Sequence, residues 1–443
     1  MAKKGLTFAC SNCGATTSAW SGKCRSCGEW NTLIEQSSGA ALNQTGKILD
    51  VSRLQDSLGK AEDRFVSNIS EVDEVLGGGI VAGSINLIAG QPGIGKSTLL
   101  LQLAEALGKD YEVLYVSGEE SLGQLALRAK RLGVKADKLK LAASVSADDI
   151  AATLRQKSYN IVIVDSIQTV STTLVPSASG SVAQITNSTH LITEAAKATG
   201  TAVILVGHVT KEGSIAGPKV LEHLVDVVLQ LEGDRIGSFK LLRAVKNRYG
   251  SVNETGIFEM TDKGLMAVKS PSAALLRERQ VSDGSIVHAT LEGSKAVLVE
   301  IQALVNTSVY GYPKRTSSGF DLNRLNLLLA MLEKRTKLRL SDKDIYVNVV
   351  GGLQLKDPSA DLAIIMAVAS ASTGRQLKSD LVVFGEVGLS GEIRHVQEAE
   401  KRYREAIKIG FSGVIGPSIA KKMTGYYGQT SVRKVLIDYL EKD

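Results

Sequence analysis

The chain has 443 residues, room for two or three domains of about 150 residues each. Apolar residues make up 44% and charged residues 22%, with 7 prolines and 5% aromatics, which excludes low-complexity, collagen-like and mucin-like chains. The net charge of +6 permits a polyanionic partner without requiring one, and no apolar run reaches the roughly 18 residues of a membrane span.

In chain order, MAKKGLTFACSNC comes first. It lacks an apolar core of signal-peptide length, so a cytoplasmic location is expected. All four cysteines follow at once, as Cys10-x2-Cys13 and Cys24-x2-Cys27. Each pair makes a tight knuckle that aims two thiolates at one ion. The pattern predicts a closed tetrahedral Zn²⁺ site in a small domain over residues 1–34. A rubredoxin-type iron site is the alternative, since thiolates suit both metals. Trp20 and Trp30 flank the knuckles and are expected to pack over this small core, with stacking on bases as the alternative. Residues 35–47 are small and polar, and a linker and lead-in segment is expected over 35–64.

Residues 65–270 are expected to form an α/β domain. Apolar runs at 84–90, 112–118, 160–166, 202–208, 226–233 and 239–245 alternate with helical stretches at 96–108, 121–133 and 189–200. Continuous Val/Ile/Leu strands separated by helices imply a mostly parallel sheet covered on both faces. The last two strands lack an intervening helix, which predicts an antiparallel edge.

Between the first strand and the first helix stands GQPGIGKST, fitting G-x-x-x-x-G-K-[ST]. Gly90, Gln91, Pro92, Gly93, Ile94 and Gly95 would wrap backbone N–H groups around the phosphates of ATP, with Thr98 closing the stretch. Lys96 should reach the β- and γ-phosphates, and Ser97 should bind Mg²⁺. Asp165 ends the strand NIVIVDS, where a carboxylate suits the outer shell of the same Mg²⁺; a capping role is the alternative. Glu119 and Glu120 end EVLYVSGEES. Glu119 is expected to activate the attacking water with Glu120 in support, although either could cap the helix that follows. His208 ends AVILVGH and is placed to sense the γ-phosphate, a purely structural histidine being the alternative. VKNRYG then sets Lys246 and Arg248 two apart, on one face of an extended chain, with no acidic residue written nearby.

KSPSAAL (269–275) reads as a boundary. Beyond it, 276–443 reads as a second α/β-like region, within a domain expected over 271–443, with helices expected at 320–336, near 359–372 and near 396–409. Its basic stretch KRTKLR (334–339) offers a path for DNA or a solvated helix end.

Together the four-cysteine head, GQPGIGKST, YVSGEES, VIVDSIQTV, KNRYG and the carboxy-terminal region resemble the RecA-like ATPases, and within them the bacterial RadA/Sms family of DNA repair proteins. The likeness spans nearly the whole chain; the family usually carries Phe at Tyr249. It implies a RecA-like core, an amino-terminal zinc finger and a Lon-protease-like α+β domain. It also implies a DNA-dependent ATPase of recombinational repair. Such a protein would bind single-stranded and branched DNA as a homo-oligomer, a hexameric ring, and promote branch migration as a helicase-like motor. Lys246 and Arg248 would reach the γ-phosphate held by the neighbouring subunit. DNA would pass loops at 174–188 and 210–219, where Lys211 and Lys219 add charge. The head is associated in this family with DNA or with partner proteins, such as a recombinase or other repair factors. GGLQLKDPSADLA (351–363) resembles the surroundings of the Lon nucleophile and would place Ser359 there. The matching lysine position falls on Glu400, with Lys401 one step out of register, so peptidase activity is not expected. The alternatives are a non-motor regulatory ATPase that times partner binding and, least favoured, an ATP-dependent protease.

Overall fold

Short apolar runs rich in Val and Ile, set between helical stretches, suit sheet strands covered on both faces, and the computed structural model has strands at these positions. It describes residues 7–36, 53, 64–135, 137–208, 220–233, 239–308 and 312–440. Most of the linker and lead-in segment, and all of the expected second DNA loop at 210–219, lie outside the described residues. The chain divides into two compact units, one comprising Met1–Glu232, Leu242–Val252 and Met260–Leu265, the other comprising Gly233–Leu241, Asn253–Glu259 and Met266–Asp443.

The four cysteines sit in a ribbon of three antiparallel strands, β1 (Thr7–Cys10), β2 (Thr16–Thr17) and β3 (Leu33–Gln36), with β1 in the middle. A short pair, β4 (Arg64–Phe65) and β5 (Ile80–Val81), flanks helix α1 (Ser70–Leu76). The main sheet follows. Its strands are β6 (Ile85–Gly90), β7 (Val113–Ser117), β8 (Leu139–Ala143), β9 (Ile161–Asp165), β10 (Ala202–His208), β11 (Val227–Glu232), β12 (Phe239–Asn247), β13 (Thr255–Thr261) and β14 (Gly264–Ala267). They lie in the order β14-β13-β12-β11-β6-β10-β9-β7-β8. From β11 to β8 every pairing is parallel.

Between these strands run α2 (Lys96–Leu107), α3 (Leu122–Leu132), α4 (Ala147–Gln156), α5 (Val182–Thr199) and α6 (Val220–Leu224). Ile85, Leu87, Val162, Val164, Val203 and Leu205 point to the face covered by α4 and α5. The alternate residues Ile88, Tyr115, Ile163 and Ile204 are buried too, so both faces are covered as the sequence predicts. Among the elements that the apolar pattern did not announce are β13, β14, α6, β8 and α4. β8 is a half-exposed edge strand, and α4 carries few large apolar residues. The signal for α4 was its cap: Ser146 Oγ accepts from Asp149 N at 3.1 Å.

The stretch 174–188 is not one loop. Its second half is the first two turns of α5, which starts at Val182 behind the cap Ser181, whose hydroxyl accepts from Gln184 N. No Gly or Pro interrupts 182–199, so the helix runs on from its cap, seven residues earlier than expected.

In the second unit the stretch KSPSAAL, read as a boundary, enters helix α7 (Pro271–Leu276) after Ser270. A seven-stranded sheet follows in the order β17-β18-β16-β15-β19-β22-β23. These are β15 (Ser285–Glu292), β16 (Lys295–Thr307), β17 (Arg315–Ser318), β18 (Lys343–Val349), β19 (Leu381–Val383), β22 (Gly413–Pro417) and β23 (Tyr426–Gln429), while β20 (Glu386–Val387) and β21 (Ile393–Arg394) make a separate hairpin. The helices are α8 (Leu322–Arg335), α9 (Asp361–Thr373), α10 (Ala399–Ile409) and α11 (Val432–Tyr439). α9 is buried on every side from Asp361 to Ser370, which its near-continuous apolar sequence requires.

Candidate nucleotide site and its surroundings

The phosphate loop leaves the carboxy end of β6 and enters α2 at Lys96. Gly93 has φ +78° and Gly95 φ +118°, conformations that only glycine takes without strain. A Cβ on Gly95 would also come within 2.8 Å of Met260 Cε. No side chain caps α2. Its first N–H groups and the positive end of its dipole therefore remain available to an anion. Ile94 is buried and pins the loop, while Gln91, Pro92 and Gly93 are exposed, and Ser97 and Thr98 are half-buried at the start of the helix. Lys96 is buried, and its Nζ donates to the carbonyls of Gly90 at 2.8 Å and Gln91 at 3.1 Å. Burial pulls its pKa down, opposed by the nearby carboxylates of Asp165 and Glu119. A cation held among glycines by bonds to its own loop fits a triphosphate, which would replace two carbonyl acceptors with charged oxygens.

The parallel register brings the other groups to this same edge. His208 pairs with Gly90, and Asp165 with Ser117, two residues before Glu119. Glu119 Oε1 accepts from Ser166 Oγ at 2.5 Å and lies 3.3 Å from His208 Nε2. Burial works to raise the Glu119 pKa, but the bonds to Ser166 and His208, with Lys96 behind them, hold it below the usual carboxylate value. Asp165 is buried and accepts from the Tyr115 hydroxyl at 2.6 Å; burial and this carboxylate push the tyrosine pKa far up. The Asp165–Ser166 peptide is cis.

Glu120 instead pairs with Arg128 on α3. Neither glutamate caps α3, because Ser121 and Gln124 form a reciprocal capping box there. Ser166 and Tyr115 were not singled out in the sequence. The serine directly after Asp165 was the available signal for the first; nothing marks Tyr115 except its place on β7, beside β9.

Lys246 and Arg248 stand elsewhere, and both have partners in their own chain, contrary to the sequence expectation. Lys246 Nζ donates to the carbonyls of Glu222 at 2.6 Å and Val225 at 2.7 Å, closing the end of α6. Burial, then Arg248, pulls its pKa down. Arg248 Nη1 bonds Asp226 Oδ1 at 3.0 Å, and the Tyr249 side chain bonds the same carboxylate. Asp226 is buried, and its other oxygen accepts from Ile85 N at 3.0 Å. The acidic partner was hidden because it lies 22 residues upstream, brought alongside by strand pairing. Ile85 opens β6, whereas the phosphate loop follows its last residue, Gly90. Six residues of strand, about 17 Å, therefore separate the pair from Lys96 of the same chain. The side chain of Arg248 remains 56% exposed.

In the ribbon, Cys10, Cys13, Cys24 and Cys27 bring their sulfurs within 4.8 Å of one another. Cys10 and Cys27 are 3.6 Å apart and Cys13 and Cys24 3.7 Å. Four sulfurs at about 2.3 Å from one ion would stand about 3.8 Å apart, so the cage fits zinc. Cys10, Cys24 and Leu33 are the buried core, with Phe8 and Ala15 against them. Trp20 and Trp30 do not cover it: they are 59% and 67% exposed. A metal held by the four thiolates would fill a core of this size, and Lys23 Nζ lies 5.6 Å from the Trp30 ring centroid.

Ser359 is fully buried, and its hydroxyl accepts from Arg402 Nη1 at 2.9 Å. Arg402 also pairs with Asp357. Glu400, the position sequence matching suggested, turns away to Arg404 and Lys421, and Lys401 pairs with Glu398. The helix phase decides this: Arg402 lies two residues on from Glu400, about 200° around α10. A guanidinium stays protonated and cannot take a proton from Ser359.

Comparisons with known proteins match three stretches of the chain. The AAA domain model matches residues 50–214, the rubredoxin metal binding domain residues 8–35, and subunit ChlI of Mg-chelatase residues 328–419. DNA repair protein RadA of Pseudomonas aeruginosa is 48% identical over 424 residues, covering 94% of both chains. The RadA of Aquifex aeolicus is 46% identical over 421 residues, again covering 94% of both. Among solved structures, the RadB recombinase is similar at 21% identity and a TM-score of 0.38, covering 46% of this chain and all of that one. A phosphate loop on a parallel sheet, with a four-cysteine ribbon before it and a second α/β region after it, defines a P-loop nucleotide-binding protein. Identity at this level over nearly the full length is decisive for the family: the chain belongs to the bacterial RadA DNA repair proteins.

Proposed function

We propose that the chain is a DNA-dependent ring ATPase of recombinational repair, whose nucleotide sites are completed by neighbouring subunits. The observation that carries this is the position of Lys246 and Arg248, a strand length away from the Lys96 of their own chain. Too distant to serve that site, they would serve a neighbour's, Lys246 by giving up its bonds to the Glu222 and Val225 carbonyls. Asp226 holds Arg248 by one nitrogen and leaves the rest of the guanidinium for a γ-phosphate.

Within one site, Lys96 would move from the Gly90 and Gln91 carbonyls to the β- and γ-phosphates. Ser97 and Asp165 would hold Mg²⁺, which supplies charge neutralisation at the phosphate oxygens. Glu119, kept ionised by Ser166 and His208, would accept the proton of the attacking water. His208, bonded to that base, would report loss of the γ-phosphate along β10 toward the DNA-facing segment that follows it. Single-stranded DNA would be gripped through its phosphates near 174–181 and by Lys211 and Lys219, hence without sequence preference and less tightly at high salt. Successive firing around a hexamer would then move the strand and promote branch migration. The zinc ribbon would recruit DNA or a repair partner, and the carboxy-terminal domain would serve as a ring platform without peptidase chemistry. A cytoplasmic location follows from this activity.

The test is subunit mixing. Arg248→Ala and Glu119→Ala should each lose single-strand-stimulated ATP turnover while still binding nucleotide. Mixed together they should regain part of it, because some interfaces pair an intact base with an intact arginine. Mixed rings that form and stay inactive would refute completion in trans.

A further inference from the structure

The second unit carries a pocket that none of the preceding chemistry uses. It has a volume of about 340 Å³ and lies between the end of α8, the last turns of α9 and one face of α11. Arg433, Leu436, Ile437 and Leu440 follow the i, i+3, i+4, i+7 spacing that puts them on one side of α11. Leu338 and Ala369 complete an apolar floor. Three cations stand at the rim: Arg335, Lys337 and Arg433, all exposed. No carboxylate lines the pocket, and among the described residues none of the three cations is in an ion pair; Arg335 bonds only the Leu389 carbonyl at 3.3 Å.

Charge and shape therefore ask for different things from one ligand. The rim calls for negative charge, and the floor calls for an apolar group out of water. A volume at the lower end of small-ligand pockets holds one or two side chains. We propose that this is a docking site for an acidic peptide segment of a partner protein, anchored by one apolar residue. Nucleic acid meets only the first demand. Its phosphates gain nothing from an apolar floor, and the lining offers no aromatic ring on which a base could stack. Burying a Leu-sized side chain supplies affinity, and the three cations supply selection for acidic neighbours and a dependence on salt.

The test uses the full chain and a displayed library of random heptapeptides. Enriched sequences should combine two or more Asp or Glu with a Leu, Ile or Phe. Labelled copies should bind at least tenfold more weakly to Arg335→Glu/Lys337→Glu/Arg433→Glu, and more weakly as salt rises. Thr373→Trp, which fills the pocket from the exposed end of α9 and leaves the rim intact, should also abolish binding. Both variants are surface changes, and unaltered thermal melting checks their fold. Enrichment without acidic bias, or binding indifferent to Thr373→Trp, would overturn the proposal. So would an oligonucleotide whose binding falls with charge reversal but ignores Thr373→Trp, with no peptide enriched, since the rim would then belong to DNA.

Discussion

Lys246 and Arg248 look alike in sequence and differ in what holds them. Lys246 donates to two backbone carbonyls at the end of α6, so removing it leaves acceptors unpaired as well as removing a charge. Arg248 shares Asp226 with Tyr249 and the Ile85 amide, so its loss leaves that carboxylate partnered. Lys246→Met should lower the melting temperature by about 2–4 °C, a 1 kcal/mol effect in a domain of this size. Arg248→Ala should shift it less while abolishing turnover; calorimetry on both variants decides. The hydroxyl of Tyr249 also has a use that a phenylalanine lacks. A third residue gives a pH signature. His288 is fully buried on β15, with Nδ1 3.0 Å from the Val383 carbonyl. Burial, reinforced by Arg402 and opposed by Asp357, holds its pKa down at about 4, against an ordinary 6.5. Between those values the unfolded chain binds a proton here and the folded chain does not. Stability must fall as pH drops through that window, by up to about 3 kcal/mol. Urea midpoints between pH 7 and 4 should flatten in His288→Gln.

At the scale of elements, Gln184 shows how a helix start can organise the segment before it. Its buried side chain accepts from Thr172 N and donates to the carbonyls of Thr172, Val175 and Ser177. The turns over 172–181, where DNA is proposed to pass, are therefore tied to α5. Gln184→Ala should cost about 1–3 kcal/mol by leaving these groups unpaired. It should also speed hydrogen exchange across 172–181 while leaving β9 and β10 protected. That segment reads as a flexible loop in sequence because it is rich in Ser, Thr and Gly, and composition does not reveal one glutamine reaching four backbone groups. β6, β9 and β10 were legible for the opposite reason: an unbroken apolar run has few other fates. The edge proposed to bind nucleotide follows from them, since parallel strands place the residues after their carboxy ends side by side.

Across the whole molecule, the ribbon is the region expected to need a bound metal for its fold. Its buried core is two cysteines and one leucine, far too little apolar surface to offset the entropy of ordering some thirty residues. Cys24→Ser should lose one equivalent of zinc per chain and the ribbon's protected amides, while Lys96-dependent nucleotide binding persists. Metal analysis with exchange mass spectrometry reads both.

Local rules of spacing and apolar pattern were enough, from the chain alone, to settle its class: the phosphate loop, the thiolate cage, the central strands and Asp165, Glu119 and His208 at their tips. Those features need only neighbours within one turn, one knuckle or one strand. What the tertiary structure alone decided are partnerships between residues far apart in sequence. Asp226 meets Arg248, Tyr115 meets Asp165, Arg402 takes the place beside Ser359, and three cations gather around an apolar floor. Each depends on strand register or helix phase, where a shift of one residue turns a side chain to another face.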